Sequence, residues 1–420
     1  MAFWRRFMAR EDEGAAAACT ALDVGTEFAK ALVFEVAEDG TGVVRGVGRQ
    51  RQGLSHMQSG TVADIDAVVD NCALALQEAE TMAGFRPSQV VIGIGGELVK
   101  GFTASHAQER RRPDVPITEQ ELQRLIDDVQ REALVEAERA ITWETGLPNV
   151  DVQLVHAAVR GAQIDGYAVT NPIGFQGRHI RISIFNAFAP LVHVGALRTV
   201  AARLDLELLA VIAEPYAVAR CLGGDEAVTA GALFIDVGGG TTDVALVRQG
   251  GIEGTRMFAL GGRAFTKSLA DHLELPFARA EELKVDFSRG LAVEDGPEIK
   301  RIIDEDVTVW AAGVELVLEE LAGGELLPGK IHICGGGSRL PQIQRVLGEA
   351  SFARRLPFAR PPEVSVIEPA QVVAIRDATE LLIDQGDVTP MGLAYQAIEM
   401  ASTESPLDTA LRRVLRRMKV

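Results

Sequence analysis

The stretch FIDVGGGTTDVALV, residues 234–247, decides the fold. An apolar run ends at Asp236. Gly238, Gly239 and Gly240 follow, then Thr241, Thr242 and Asp243, and a second apolar run begins. The two runs read as short buried strands, and the turn between them makes a hairpin. Glycine admits positive φ and lets the backbone approach a ligand, because no Cβ intervenes. Successive N–H groups in such a turn form an anion-binding concavity, and the threonine hydroxyls suit phosphate oxygens. A carboxylate at a strand end suits Mg²⁺, which keeps several waters. The hairpin is therefore expected to meet the phosphates and metal of a nucleotide.

A second copy lies upstream. TALDVGTEFAKALVFEV, residues 20–36, is again strand, Asp-x-Gly-Thr, strand. Asp23, Gly25 and Thr26 match the later loop, and Asp23 and Asp236 stand 213 residues apart. A repeat at that separation predicts two related domains facing each other across a cleft. Lys30 can turn back toward the phosphates as a point charge, or sit solvated at a strand end. A third glycine cluster, Gly335, Gly336 and Gly337 with Ser338, follows the apolar strand Ile331–Cys334 and precedes a helical pattern. Strand, glycines, helix is a nucleotide-binding order.

The chain has 420 residues, more than one core usually serves, and 47% of them are apolar, as in an ordered globular protein. No apolar run is long enough to span a bilayer, and no signal-peptide h-region opens the chain. A cytoplasmic protein is expected. Cys19, Cys72, Cys221 and Cys334 form no CxxC pair and read as buried, reduced thiols. Net charge is −17, yet both ends are basic. The acidic body argues against a broad nucleic-acid surface.

The order of these motifs resembles the actin-like ATPase superfamily. The resemblance implies an α/β fold of two RNase H-like lobes around a nucleotide cleft. Asp23–Thr26 resembles its first phosphate motif, Asp236–Asp243 its second, and Gly335–Gly337 its adenosine motif. LLAVIAEPYAVARCL, 208–222, resembles its first connecting helix, so Glu214 would position or activate the attacking water, with Asp236 beside it. Read from residues alone, Glu214 precedes an N1 proline at a helix start. PFARAEELKVDF, 276–287, resembles the stretch whose Glu281 and Lys284 would contact ribose and adenine. Without the resemblance the two are a surface ion pair. Asp23, Asp236 and Asp243 would hold Mg²⁺, and ATP would be the nucleotide.

Within the superfamily the closest resemblance is to the FtsA family of bacterial cell-division proteins. The second hairpin leads into an LGG turn at Gly261 and Gly262. VVIGIGGELVKGF (90–102) and LVHAAVRGAQIDGYAVTNPIGFQGRHIRISIFNAF (154–188) resemble the borders of the FtsA-type 1C insert (SHS2/1C domain). Between them, Thr118 and Glu121 predict a capping box, and Leu122, Leu125, Ile126 and Val129 one apolar helix face. The expected division is a basic N-terminal segment at 1–14; lobe 1A at 15–87 and 189–230; 1C at 88–188; lobe 2A at 231–264 and 330–400; a reduced 2B at 265–329; and a linker with an amphipathic helix at 401–420. Phe28 stands where the family commonly has lysine. Lys30 matches the position used by actin and the pilus protein PilM. Ser268 replaces the usual aspartate after the LGG turn.

At the C-terminus, Leu411, Val414, Leu415 and Met418 fall at i, i+3, i+4 and i+7, with Arg412, Arg413, Arg416 and Arg417 around them. Such a helix lies in a headgroup plane with its apolar face down. A disordered tail, or a helix docked on a partner, is the alternative. Phe3, Trp4 and Phe7 can share a face against Arg5, Arg6 and Arg10. The resulting expectation is an ATP-binding, filament-forming actin homologue on the inner face of the cytoplasmic membrane, at most a slow ATPase. Its partners would be an FtsZ-like tubulin homologue, further copies of itself, anionic lipids and other division proteins through 1C. A PilM-like scaffold for type IV pili is the alternative. A sugar or acetate kinase lacks a nameable acceptor base, and a DnaK-type chaperone lacks a substrate domain.

Overall fold

The computed structural model describes residues 17–148, 150–222, 231–402 and 406–418, the last three of these and Ser402 by backbone only. Phe3, Trp4, Phe7 and the rest of the basic N-terminal segment lie outside the described residues, as do the side chains of Arg416, Arg417 and Met418.

Lobe one is a six-stranded sheet. A meander of β1 (Ala18–Val24), β2 (Phe28–Val36) and β3 (Gly42–Arg51) continues into parallel β4 (Gln89–Ile94), reached through helix α1 (Ile65–Ala83). The insert follows β4. It comprises β5 (Lys100–Glu109), α2 (Glu119–Thr145), β6 (Val152–Ile164), β7 (Tyr167–Val169) and β8 (His179–Pro190). Helix α3 (Leu191–Arg203) returns the chain to lobe one, where β9 (Glu207–Ala213) pairs with β4 and leads into α4 (Glu214–Arg220).

Lobe two repeats this plan. β10 (Ala232–Val237), β11 (Thr242–Arg248) and β12 (Gly251–Phe258) form a meander. Helices α5 (Gly262–His272), α6 (Phe277–Ser288) and α7 (Gly296–Ala322) come next. Then β13 (Lys330–Cys334), α8 (Pro341–Gly348) and β14 (Glu363–Val366) add two parallel strands. The order β3-β2-β1-β4-β9 is matched strand for strand by β12-β11-β10-β13-β14. β1 and β10 are thus topological equivalents, and the aspartates near their ends are equivalent too. Each lobe has its own core; Leu22, Phe34 and Ile92 are buried in the first, and Ile235, Phe265 and Trp310 in the second.

Several boundaries differ from expectation. The insert begins after Ile94 and not at residue 88, because Gln89–Ile94 sits inside the first sheet. The chain also leaves lobe two before residue 400. β15 (Ile375–Asp377) pairs with β3, and Val388, Met391 and Ala394 of α9 (Val388–Ser402) are buried in the first core. The insert is joined to lobe two as well, since β5 pairs with β12 at Gly101↔Thr255 and Phe102↔Gly254, making one nine-stranded sheet. Between residues 262 and 329 there are three helices and, among the described residues, no strand.

In the insert, α2 lies across the sheet with Leu122, Leu125, Ile126 and Val129 buried. Thr118 accepts a hydrogen bond from the Glu121 N–H at 3.2 Å, but the reciprocal half of the box is replaced. The Glu121 carboxylate instead takes Arg110, at 2.7 and 3.0 Å. A buried guanidinium needs a charged partner more than a helix end needs a second cap.

The C-terminal helix α10 (Pro406–Met418) is docked on α2 and β6. Leu407, Ala410, Leu411 and Val414 are buried in the insert's core, and Leu415 packs at its edge. Leu411, Val414 and Leu415, expected to face lipid, therefore face protein here. Each buried leucine or valine contributes roughly 1.5–3 kcal/mol, which suffices to hold a helix too short to be stable alone.

Candidate functional site

Both hairpins bring their loops to the space between the lobes. In β1–β2, Asp23 is paired across the ladder with Lys30. In β10–β11, Asp236 is paired with Asp243. Between them opens a cleft of about 570 Å³. Its wall includes Asp23, Gly25, Thr26 and Lys30 from lobe one, Gly238, Gly239, Thr241, Gly262, Glu281 and Lys284 from lobe two, and Gly335, Gly336 and Gly337.

The glycines are required by proximity more than by torsion. Gly238, Gly239 and Gly240 do not adopt positive φ; Gly335 does, at +82°. A Cβ on Gly240 would lie 2.7 Å from Thr26 Oγ1, and one on Gly239 would lie 2.8 Å from Glu27 Cβ. The loops of the two lobes touch, and only backbone fits at the contact. At Gly335 a Cβ would meet Asp236 Oδ1 at 2.1 Å.

Four carboxylates meet at the floor. Burial pushes Asp23 upward from the ordinary aspartate range, opposed by Lys30, whose Nζ is 3.5 Å from its Oδ2. Burial also raises Asp236, opposed by a 2.5 Å hydrogen bond from Thr389. Asp243 is pushed well up by burial and by Asp236. Glu214 is pushed well up by burial and then by Asp23, Asp243 and Asp236. Gly93 and Gly95 make room for it, since a Cβ at either would lie 2.8 Å from a Glu214 carboxylate oxygen. Asp243 Oδ1 is buried without a hydrogen-bond partner among the described residues. Such a floor favours a cation brought in from outside. Among the described residues no three histidine, cysteine or carboxylate side chains converge to hold a metal unaided. Asp23, Asp236 and Asp243 therefore do not form a closed ligand set. They fit Mg²⁺ only as it arrives with phosphates and its own water.

Lys30 turns into the cleft and donates to the Gly386 carbonyl as well. Glu281 and Lys284 form a 2.8 Å ion pair in the cleft wall, and Lys284 also donates to the Gly262 carbonyl at 2.9 Å. Four candidates stand behind the wall. Ser338 is buried and donates to the Gly335 carbonyl at 2.8 Å. Thr242 donates to the Leu260 carbonyl at 2.7 Å and accepts from Trp310. Gly240 and Gly261 shape the loop contact, a Cβ on Gly261 lying 2.6 Å from the Gly238 carbonyl oxygen.

Sequence reading missed Thr389, the arginines Arg49, Arg289 and Arg339, and Arg263. Arg263 crosses from lobe two, donating to Glu27 at 2.6 Å and to the Gln52 carbonyl at 2.9 Å. The one local cue was position, since Arg263 directly follows the LGG turn and Arg339 directly follows the third glycine cluster.

Comparison with known proteins agrees with this geometry. Residues 233–379 match the family model "Cell division protein FtsA". The chain is 28% identical over 273 residues to the cell division protein FtsA of Pseudomonas aeruginosa, covering 64% of this chain and 61% of that one. Against the Bacillus subtilis FtsA it is 25% identical over 377 residues, covering 84% and 81%. Over these stretches the chain is similar to FtsA cell-division proteins. The match spans under two thirds of the Pseudomonas relative. A solved PilM–PilN type IV pilus biogenesis complex superposes on the FtsA-like chain with a TM-score of 0.62 at 19% identity, covering 90% of this chain and 98% of that one. The ethanolamine utilization protein EutJ of Carboxydothermus hydrogenoformans does so at 0.51 and 19%, covering 93% and 94%. Both show the fold. No helix among the described residues is long and apolar enough to cross a membrane.

Proposed function

We propose that this FtsA-like chain is a cell-division actin homologue that binds ATP–Mg²⁺ between its lobes, polymerises, and tethers a tubulin-like division protein to the anionic inner face of the cytoplasmic membrane through its basic C-terminal helix. The observation that carries the nucleotide reading is the pair of equivalent hairpins closing on one cleft whose floor holds three buried aspartates and the half-buried Glu214. Bound ATP–Mg²⁺ would supply a divalent charge at that floor and a polyphosphate between the loops. The backbone of both glycine loops, with Thr26, Thr241 and Lys30, would hold the phosphates. Asp23, Asp236 and Asp243 would hold the metal through its waters. Glu281 and Lys284 would meet ribose and base. Glu214, whose carboxyl is pushed well up by burial and the neighbouring carboxylates, would orient water and accept its proton once a bound cation offsets those charges. Because residues of both lobes line the cleft, occupancy favours the closed arrangement and so gates assembly. Other division proteins would dock on the insert. A PilM-like pilus scaffold is the second reading, favoured by Lys30 in the cleft and by the strandless 262–329 segment.

The test is negative-stain electron microscopy with ATP–Mg²⁺ on anionic vesicles, comparing the full chain with a variant lacking residues 409–420. Filaments on vesicles, lost or detached in the truncation, are expected. Monomeric protein beside bare vesicles would overturn the polymer reading and move the pilus scaffold to the front.

A further inference from the structure

One amphipathic helix has been given two incompatible places. In an interfacial role, Leu411, Val414 and Leu415 enter the acyl boundary while the flanking arginines meet anionic headgroups. In the structure Leu411 and Val414 are buried against Leu122, Leu125 and Ile126 of the insert, and Leu415 packs beside them. Arg412 and Arg413 are engaged too. Arg413 pairs with Glu119 at the start of α2, and Arg412 donates to the Met400 carbonyl at the end of α9. The groove thus offers what a bilayer surface offers, an apolar floor with an anionic edge. A face buried in the insert cannot also be buried in lipid.

We infer that the α2–β6 face of the insert is a docking site for the chain's own C-terminal helix, and that docking there withholds the helix from the membrane. This inference rests on the membrane reading above. Two features support it beyond the contact itself. The helix completes the insert's core, because Leu407, Ala410, Leu411 and Val414 belong to the same buried cluster as Ile180, Ile182 and Ile184. It also touches the end of α9, through Arg412 on the Met400 carbonyl, and α9 packs on α4, the helix that opens with Glu214. Through α9 the docked helix is thus connected to α4, whose Glu214 lines the cleft. A bilayer binds the helix only after the insert releases it, and a filament that presents many released helices binds by avidity.

The test uses the full chain, without nucleotide, in co-sedimentation with vesicles of phosphatidylethanolamine and phosphatidylglycerol. Glu119→Arg is the first variant; Glu119 is an exposed side chain, so the fold is not at stake. It is expected to raise vesicle affinity about threefold. Combined with Leu122→Ala in the groove floor, the gain is expected to reach about tenfold or more. Hydrogen exchange supplies the second readout: residues 119–133 should lose protection when the helix is deleted and when wild type binds vesicles. If wild type and both groove variants bind equally while a chain lacking 406–420 does not bind, the helix is an anchor but is not withheld, and the inference is overturned. If the truncated chain binds as well as the others, or none binds, the membrane reading itself has failed and the inference falls with it.

Discussion

The two glycine-bearing hairpins have the same topology and opposite electrostatics. In the first, the residue across the ladder from the aspartate is Lys30, and Asp23 has its counter-charge inside the protein. In the second, the residue across from Asp236 is another acid, Asp243, with an oxygen left unpartnered. Duplication of a fold has kept the carboxylates and divided the work. The first hairpin carries a fixed cation, and the second carries two acids, of which Asp243 faces no cation across its ladder. The glycines concentrate in the second hairpin, where Gly239 and Gly240 lie against Glu27 and Thr26 of the first loop.

Four substitutions test the contrast. Gly240→Val places a side chain against Thr26 and keeps the loops apart; ATP affinity should fall about 100-fold, an overpacking effect, as read by calorimetric titration. Lys30→Ala leaves Asp23 buried without its partner. Urea unfolding should show a loss of about 3 kcal/mol, and adding Asp23→Asn should restore most of it. Asp243→Asn should act in the opposite direction, stabilising the ligand-free protein by about 1 kcal/mol or more through relief of carboxylate repulsion, while abolishing any ATP turnover. Arg263→Ala removes charge-assisted bonds across the cleft, costing about 1–2 kcal/mol, and should speed nucleotide release several-fold in stopped-flow measurements.

The pH dependence carries a sign. Asp23, Glu214, Asp236 and Asp243 all have folded-state values raised above those of the unfolded chain. Between the ordinary carboxylate range and those raised values, the folded state holds protons that the unfolded state has released. Stability of the ligand-free protein should therefore fall as pH rises through that window. The slope should be shallower in Asp243→Asn, and shallower again with ATP–Mg²⁺ bound.

Much of this was legible in the sequence because it is local. Asp-x-Gly-Thr between apolar runs names its own hairpin, and repeating it 213 residues later names the cleft. What was not legible depends on packing across large separations. Gly93 and Gly95 look like part of a strand, and only the structure shows Glu214 filling their missing side chains. Thr389 reaches the site from a segment with no phosphate motif, and the only local sign of Arg263 is that it follows the LGG turn. The return of β15 and α9 to the first lobe has no periodic signature, since a strand of three residues can join either sheet. The C-terminal helix shows the limit most plainly. Its amphipathic period is readable, but an apolar face does not state whether lipid or protein will cover it.

The most direct measurement is calorimetric titration of the full chain with ATP, with and without Mg²⁺, beside Gly240→Val. One ATP per chain, with affinity dependent on Mg²⁺ and lost in the variant, is the result expected of two hairpins clamping one nucleotide. Absence of binding, or binding indifferent to both the metal and Gly240, would contradict it.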